Sequence, residues 1–196
     1  KEKIILIRNN KNYGYAGGNN RGLTLAKNQL DMEYVWILNN DTVLDSESLN
    51  EMIKKFKNDN LIGICGSKLI DYYDKKTVQS IGGKINTWTC TTRSLGRNLV
   101  KSDHINELEI ENKIDFVVGA SILINKECLV KVGLLCEEYF LYYEEIDICN
   151  RAKAAGFKIG VASKSYVYHM EGGSTTKEIS DLTDYLMVRN RVIISK

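Results

Sequence analysis

The sequence predicts an α/β layer fold, and three observations carry that reading. Apolar runs of strand length alternate with amphipathic helical patterns along the chain. The 196 residues are 43% hydrophobic, enough for one full core. There is no repeat, no low-complexity tract and no proline, so 1–196 reads as one domain.

The elements follow in order. Ile4–Arg8 reads as a strand, and the Gly/Asn-rich stretch Asn12–Gly22, NYGYAGGNNRG, as a loop leading into a helix near Asn20–Leu30. Tyr34–Leu38 is the next strand. Leu49, Met52, Ile53 and Phe56 then fall at i, i+3, i+4 and i+7, one stripe of an amphipathic helix, and Ser48 with Glu51 suits a capping box at its start. Leu61–Ile70 is a third strand, interrupted by glycines. From Asp71 to Asn112 the pattern loosens into short strands and a mobile loop. Phe116–Ile124, FVVGASILI, reads as a buried strand with small residues at its middle, and Lys126–Val132 as a short helix. The helix in YYEEIDICNRAKAAGFKIG stops at Gly156, a residue suited to the left-handed position past a helix end. Lys158–Ala162 and Tyr166–Tyr168 look like late strands, and the tail from Thr183 like a helix.

Composition excludes several function classes. A net charge of +2 with 27% charged residues lacks the concentrated basic face of a nucleic-acid binder. Lys54-Lys55 and Lys75-Lys76 read as solvated surface. The five cysteines are scattered without CxxC spacing, which fits reduced thiols of a cytosolic protein better than a disulfide framework. Zinc is disfavoured, since only His104 and His169 could join them and neither has ligand spacing to a cysteine. No apolar run approaches the roughly 20 residues of a membrane span, and no signal peptide is visible. The chain opens without Met and reads as an excised piece.

Three stretches could carry chemistry. Asn39-Asn40-Asp41-Thr42 follows a core strand, where ligands collect in open α/β sheets. It is either a strand-ending turn using Asn and Asp for local hydrogen bonds or the rim of a site whose carboxylate binds a divalent cation. Asn12–Gly22 is either a plain loop or a place where backbone approaches a ligand and a helix offers N–H groups to phosphate. It matches neither the dinucleotide fingerprint nor the P-loop. In Glu144-Glu145-Ile146-Asp147, Asp147 lies four residues before Arg151 in the favourable order for a helix pair. Glu145 shares a face with Ile148, Cys149 and Ala152 and has no such structural task, which nominates it as a general base. Neighbours on a helix point about 100° apart, so Glu144 and Glu145 cannot flank a glycosidic bond as a hydrolase pair. His169 is either structural or a nitrogen ligand near Asp41, and the Gly-Gly-Ser-Thr after it suits a lid near phosphates. Trp36 belongs to the core; Trp88 is a loop anchor or a sugar-stacking platform.

Taken together, NYGYAGGNNRG, WILNNDT, SIGG, FVVGASILI, EEYFLYYEEIDICNRAKAAGFKIG, VYHMEGGST and YLMVRNR resemble the family 2 glycosyltransferases, in particular their bacterial rhamnosyltransferase-like branch. The resemblance implies a GT-A-type nucleotide-diphospho-sugar transferase fold with a mixed, mostly parallel central sheet flanked by helices. It implies inverting transfer from a UDP- or dTDP-linked sugar to a glycan or lipid-linked acceptor, with Mg²⁺ or Mn²⁺. Carried onto this chain, Asp41 matches the metal-binding acid that closes the family's Asp-x-Asp-type motif, and Asn39 stands at that motif's first position. Glu145 matches the catalytic base, where Asp is more usual, and His169 a further metal ligand. Asn12, Gly14, Gly17, Gly18 and Asn19 match the loop near the nucleotide, with Asn39 and Asn40 also on the donor side. Gly119, Ala120 and Ser121, with Glu144, fall near the donor sugar and acceptor, and Asp147 with Arg151 gives structural support. The family opens with two strands that this sequence lacks, and its end falls inside a helix, so the domain reads as incomplete at both ends. A non-catalytic nucleotide- or glycan-binding module derived from a truncated transferase is the alternative; a nucleotidyltransferase is a third reading that the Glu-Glu-x-Asp helix speaks against. By analogy the setting is surface polysaccharide synthesis at the cytoplasmic face of a bacterial membrane, with peripheral membrane association.

Overall fold

The computed structural model describes residues 4–29, 31–97, 99–170 and 177–195. In chain order the elements are α1 (Gly14–Lys27), β1 (Tyr34–Leu38), β2 (Thr42–Leu44), α2 (Ser48–Asn58), β3 (Ile62–Asp71), β4 (Val78–Ser80), β5 (Gly82–Ile85), β6 (Thr92–Leu95), α3 (Glu107–Glu111), β7 (Ser121–Asn125), α4 (Lys126–Val132), a 3₁₀ turn (Glu137–Tyr139), α5 (Glu144–Ala154), β8 (Lys158–His169) and α6 (Lys177–Ile194). A six-stranded sheet runs β1-β7-β3-β8-β2, with β4 added to β3, and β5 and β6 form a separate ribbon. Among the described residues no helix is long and apolar enough to cross a membrane.

The centre of the sheet is apolar on both sides because both sides are covered. Every residue of β3 from Ile62 to Ile70 is buried, the pattern of a strand with no solvated face. Successive side chains point to opposite faces, so Ile64, Ile122, Ile124 and Val161 join Cys128, Leu129, Ile146 and Cys149 of α4 and α5 in one core. Cys65, Leu123 and Ala162 join Met52 and Phe56 of α2 in another. The five cysteines are free thiols, as their scatter suggests.

Several expectations are corrected. The sheet is mixed, but β3–β8 is its parallel pair, and β1–β7, β3–β7, β3–β4 and β2–β8 are antiparallel; short returns such as β2 and β4 reverse direction where a longer crossover would preserve it. Ile4–Arg8 forms no strand and pairs with none, leaving Ile4 at 96% exposure; a strand needs a neighbour to satisfy its backbone. The Asn12–Gly22 loop is largely helix, since α1 starts at Gly14. Ser48 forms no capping box: it is the first helical residue, and its hydroxyl donates to the Tyr166 carbonyl at 2.7 Å. The strand in Phe116–Ile124 begins only at Ser121, because Val118–Ser121 closes a turn, with Ser121 N donating to Val118 O at 3.2 Å. Lys158–Ala162 and Tyr166–Tyr168 are one strand, its register shifted on β3 between Ser67 and Lys68. The last helix starts at Lys177, ahead of Thr183.

One buried amide ties α1 to the chain entering α5. Asn20 is 5% exposed; its Nδ2 donates to Leu135 O at 2.9 Å and its Oδ1 accepts from Leu135 N at 3.0 Å. Asn20→Ala strands both backbone groups in the interior and is expected to cost about 1–3 kcal/mol, read as a lower urea midpoint. An unchanged midpoint would show the tie to be dispensable.

Candidate functional site

At the end of β1 the chain turns through Asn39-Asn40-Asp41 and returns as β2. Thr42 Oγ1 donates to Asn39 O at 2.7 Å, closing the turn. β2 then pairs antiparallel with the last residues of β8, so that Thr42 stands opposite His169, and Met170 N donates to Asp41 O at 3.0 Å. Strand register thereby brings Asp41 Oδ1 to 3.5 Å from His169 Nε2. The cluster is a turn, and its Asp41 lines a cavity.

The imidazole is oriented by Gln79, which precedes the SIGG stretch. Gln79 Nε2 donates to His169 O at 3.0 Å, so Gln79 Oε1 is the atom left 3.1 Å from His169 Nδ1. Oε1 only accepts, so Nδ1 donates to it and Nε2 is the nitrogen that faces Asp41. A ring held this way by its other nitrogen is the usual arrangement of a metal-ligating histidine.

A cavity of about 340 Å³ opens here, and Asp41, Asn39, Gly119, Ala120, Glu144, Glu145 and His169 all line it. Asn39 N donates to Ala120 O at 3.1 Å, joining the β1 end to the turn before β7. Tyr15 of α1 closes another side, its hydroxyl donating to Gly119 O at 2.5 Å. Asp41 Oδ1, Glu144 Oε2 and Glu145 Oε2 are buried without a hydrogen-bond partner among the described residues. Three carboxylate oxygens without a partner on one cavity wall cost free energy that a cation, a ligand, water or a proton can recover.

Electrostatics follows from the burial. Burial pushes the Glu145 carboxyl above the usual carboxylate range. Glu144, only 3% exposed, is raised by burial first and by the charge of Glu145 second. Burial also raises the Tyr15 phenol, with smaller contributions from the same two acids. Both acids start α5, where the helix N-terminus favours negative charge. They are delivered there by a strained entry, since Phe140 (φ 66°), Tyr142 (φ 68°) and Tyr143 (φ 76°) occupy the left-handed region. Bulky residues pay about 1–3 kcal/mol each for such conformations. Tyr143 is fixed by donating its hydroxyl to Cys90 O at 2.6 Å.

Other candidates take structural places. Asn12 is exposed and its Oδ1 accepts from Gly14 N at 2.8 Å. Gly14 (φ +71°) passes so close to α5's approach that an added Cβ would lie 2.3 Å from Phe140 O, and one at Gly17 would lie 2.8 Å from Tyr13 Cβ. Gly18 faces open space, and Asn19 Nδ2 donates to Tyr15 O at 2.9 Å. These residues shape α1, whose contribution to the cavity is Tyr15. Asn40 is exposed and does not line the cavity. Ser121 is in the core, accepting from Trp36 Nε1 at 3.0 Å and bonded to Ser67 Oγ at 2.8 Å. Arg151 pairs with Asp147 at 2.6 Å and donates to Val132 O and Leu134 O, supporting α5 as its spacing implies. Trp88 is 95% exposed and anchors nothing. Gly172–Thr175 lie outside the described residues.

Tyr15, Gln79 and Tyr142 escaped the reading of the sequence. Tyr15 stood inside NYGYAGG, where glycines drew attention; Gln79 becomes relevant only through a contact 90 residues away. Among the described residues no cluster of three or more His, Cys, Asp or Glu could hold a metal. The Asp41–His169 pair does fit a divalent cation as a partial site: two donors about 2.1 Å from one ion can stand 3.5 Å apart. Mg²⁺-type ions take few protein ligands and complete their shell with water and phosphate oxygens.

Comparison with known proteins bears on family and fold. The model of glycosyl transferase family 2 matches residues 1–133. The low-salt glycan biosynthesis hexosyltransferase Agl10 of Haloferax volcanii is 27% identical over 195 residues, covering 99% of this chain and 61% of that protein. The uncharacterized protein y4gI of Sinorhizobium fredii is 24% identical over 181 residues, covering 90% of this chain and 19% of that one. The chain thus spans under two thirds of these relatives. The crystal structure of GalNAc-T7 with UDP, GalNAc and Mn²⁺ superposes with a TM-score of 0.61 at 15% identity, over 86% of this chain and 34% of that one, which shows a GT-A-like fold.

Glu144→Gln keeps shape and removes a charge. A carboxyl whose pKa is raised on folding contributes stability below its unfolded pKa and loses it as pH rises through the folded value. The variant is therefore expected to melt above the parent at about pH 8 and level with it near about pH 4. Equal melting temperatures at both would mean that Glu144 bears no burial cost.

Proposed function

Because this chain belongs to glycosyl transferase family 2, we propose that residues 1–196 form a transferase domain that moves a sugar, with inversion, from a nucleotide-diphospho-sugar to a glycan or lipid-linked acceptor. One observation carries the proposal: the Glu145 carboxylate, with one oxygen buried and without a hydrogen-bond partner among the described residues, lines the same cavity as the Asp41–His169 pair.

A carboxylate whose pKa is raised by burial is a stronger base than one in water, and its place on the cavity wall suits it to take the proton of an acceptor hydroxyl. Glu145 takes the hydroxyl proton; the acceptor oxygen forms a bond to the anomeric carbon, and the bond to the diphosphate oxygen breaks with its electron pair. The inverting, direct-displacement course is carried over from the family resemblance. Asp41 and His169 would hold Mg²⁺ or Mn²⁺, and such an ion supplies electrostatic stabilisation of the leaving diphosphate. Gln79 keeps Nε2 of His169 turned toward Asp41. Tyr15 and the Gly119 turn form a further part of the cavity wall.

The finer identity rests on motif order and on relatives. WILNNDT, YYEEIDIC and YLMVRNR support the rhamnosyltransferase-like branch and hence a UDP- or dTDP-linked donor, and the hexosyltransferase of Haloferax volcanii, named for glycan biosynthesis, supports a glycan-building role. We place the reaction at the cytoplasmic face of a membrane, with the domain peripheral to it.

Glu145→Gln is expected to retain nucleotide binding and lower transfer by roughly 10²–10⁴-fold, measured with UDP- and dTDP-sugars on the full chain; near-normal turnover ends the assignment of the base. Asp41→Asn and His169→Ala should each abolish the gain in UDP or dTDP affinity that Mn²⁺ gives the parent, by calorimetric titration with and without the metal. A metal-dependent gain that persists in both variants places the cation elsewhere. Donor hydrolysis by the parent separates an enzyme from a binding module.

A further inference from the structure

The last helix carries a polar residue where its pattern calls for an apolar one. On α6, Leu186 is 2% exposed and Asn190, one turn later on the same stripe, is 0% exposed. A buried amide is tolerated only with its hydrogen bonds made. Here Nδ2 lies 3.1 Å from Tyr139 O, 2.8 Å from Leu141 O and 2.7 Å from Tyr142 O. The orientation of the amide is fixed as well, since Arg189 Nε and Nη2 donate to Asn190 Oδ1 at 3.0 and 2.8 Å. Arg189 Nη2 also donates to Tyr139 O at 2.6 Å, and Arg191 Nε to Tyr143 Oη at 3.3 Å.

The segment gripped in this way is Tyr139–Tyr143, whose Phe140, Tyr142 and Tyr143 sit at positive φ. Leu141 and Tyr142 line the cavity and Glu144 and Glu145 follow directly. Left-handed aromatic residues persist only where their surroundings over-determine them. Asp41 and His169, by contrast, are set by β2–β8 register, and no side chain of α6 touches that pairing among the bonds described.

We infer that Asn190 is a positioning residue: its side-chain amide holds the Tyr139–Tyr143 segment in the conformation that aims Glu145 into the cavity, and it takes no part in binding the donor. The inference rests on the transferase reading of Glu145. It assigns the C-terminal helix, which lies outside the family-matched residues 1–133, a role in the chemical step.

The test is Asn190→Ala in the full chain, with steady-state kinetics, UDP binding in Mn²⁺ and backbone hydrogen exchange measured together. The expected result is a fall in kcat of about 10²-fold, the usual consequence of misplacing a reacting group by about 1 Å, with donor KM and UDP affinity within about twofold of the parent. Amides of residues 141–146 should exchange faster while those of β3 and β8 do not. A kcat per folded molecule that matches the parent, or a loss shared equally by kcat and nucleotide affinity, overturns the inference. Should Asn190→Ala not fold, Arg189→Lys, which frees the amide to rotate, must show the same split in milder form, and a parental kcat there overturns it. The exchange arm needs no turnover. If the parent transfers no sugar, faster exchange at 141–146 upholds the clamp while the transferase reading fails, and unchanged exchange overturns the clamp itself.

Discussion

The site depends on a short antiparallel pairing. Three residues of β2 lie against the end of β8, with Thr42 opposite His169, and this register joins an acid from the first half of the chain to an imidazole from its far end. A slip of one residue would turn every side chain of β2 to the other face and separate Asp41 from His169. The central strands make such a slip costly, because β3 and β8 are paired along nearly their whole length and buried between two helical layers. The apolar core thus acts on the chemistry at a distance: it supplies no functional group, yet it sets where the two polar ends of the sheet meet.

Stability is spent around that meeting point. Carboxylate oxygens buried without a hydrogen-bond partner and aromatic residues in the left-handed region would each be selected against in an ordinary core. Their concentration around one cavity is the pattern expected of an acid-base site, where burial tunes a carboxyl toward the working pH. The surrounding polar groups are by contrast well matched. Asn20 and Asn190 satisfy opposite ends of the same connection into α5, one through Leu135 and the other through Tyr139–Tyr142.

Much of this was legible in the sequence, for identifiable reasons. Periodicity located α2, α4 and α5, because an apolar stripe and a stop at Gly156 are local signals. The unusual acid was legible too: Asp147 had Arg151 at helical spacing and Glu145 had nothing. What remained hidden depends on pairing between distant segments. The direction of β2 and β4 cannot be read from residues that simply alternate, and Ile4–Arg8 has strand composition without a neighbour. The glycines of NYGYAGG suggested proximity to a ligand, whereas at Gly14 the close approach is to Phe140 of the chain itself. Gln79 and Asn190 are ordinary amides until the fold sets them against His169 and Tyr142.

That contact at Gly14 has a mechanical consequence. With no room for even a methyl group between Gly14 and the Phe140 carbonyl, and with Ala16 N bonded to the same oxygen at 3.2 Å, the first helix and the approach to Glu144 and Glu145 are butted together like two stones of an arch. Neither can tilt without carrying the other. A molecule entering the cavity must therefore pass parts of the rim that lie away from this joint.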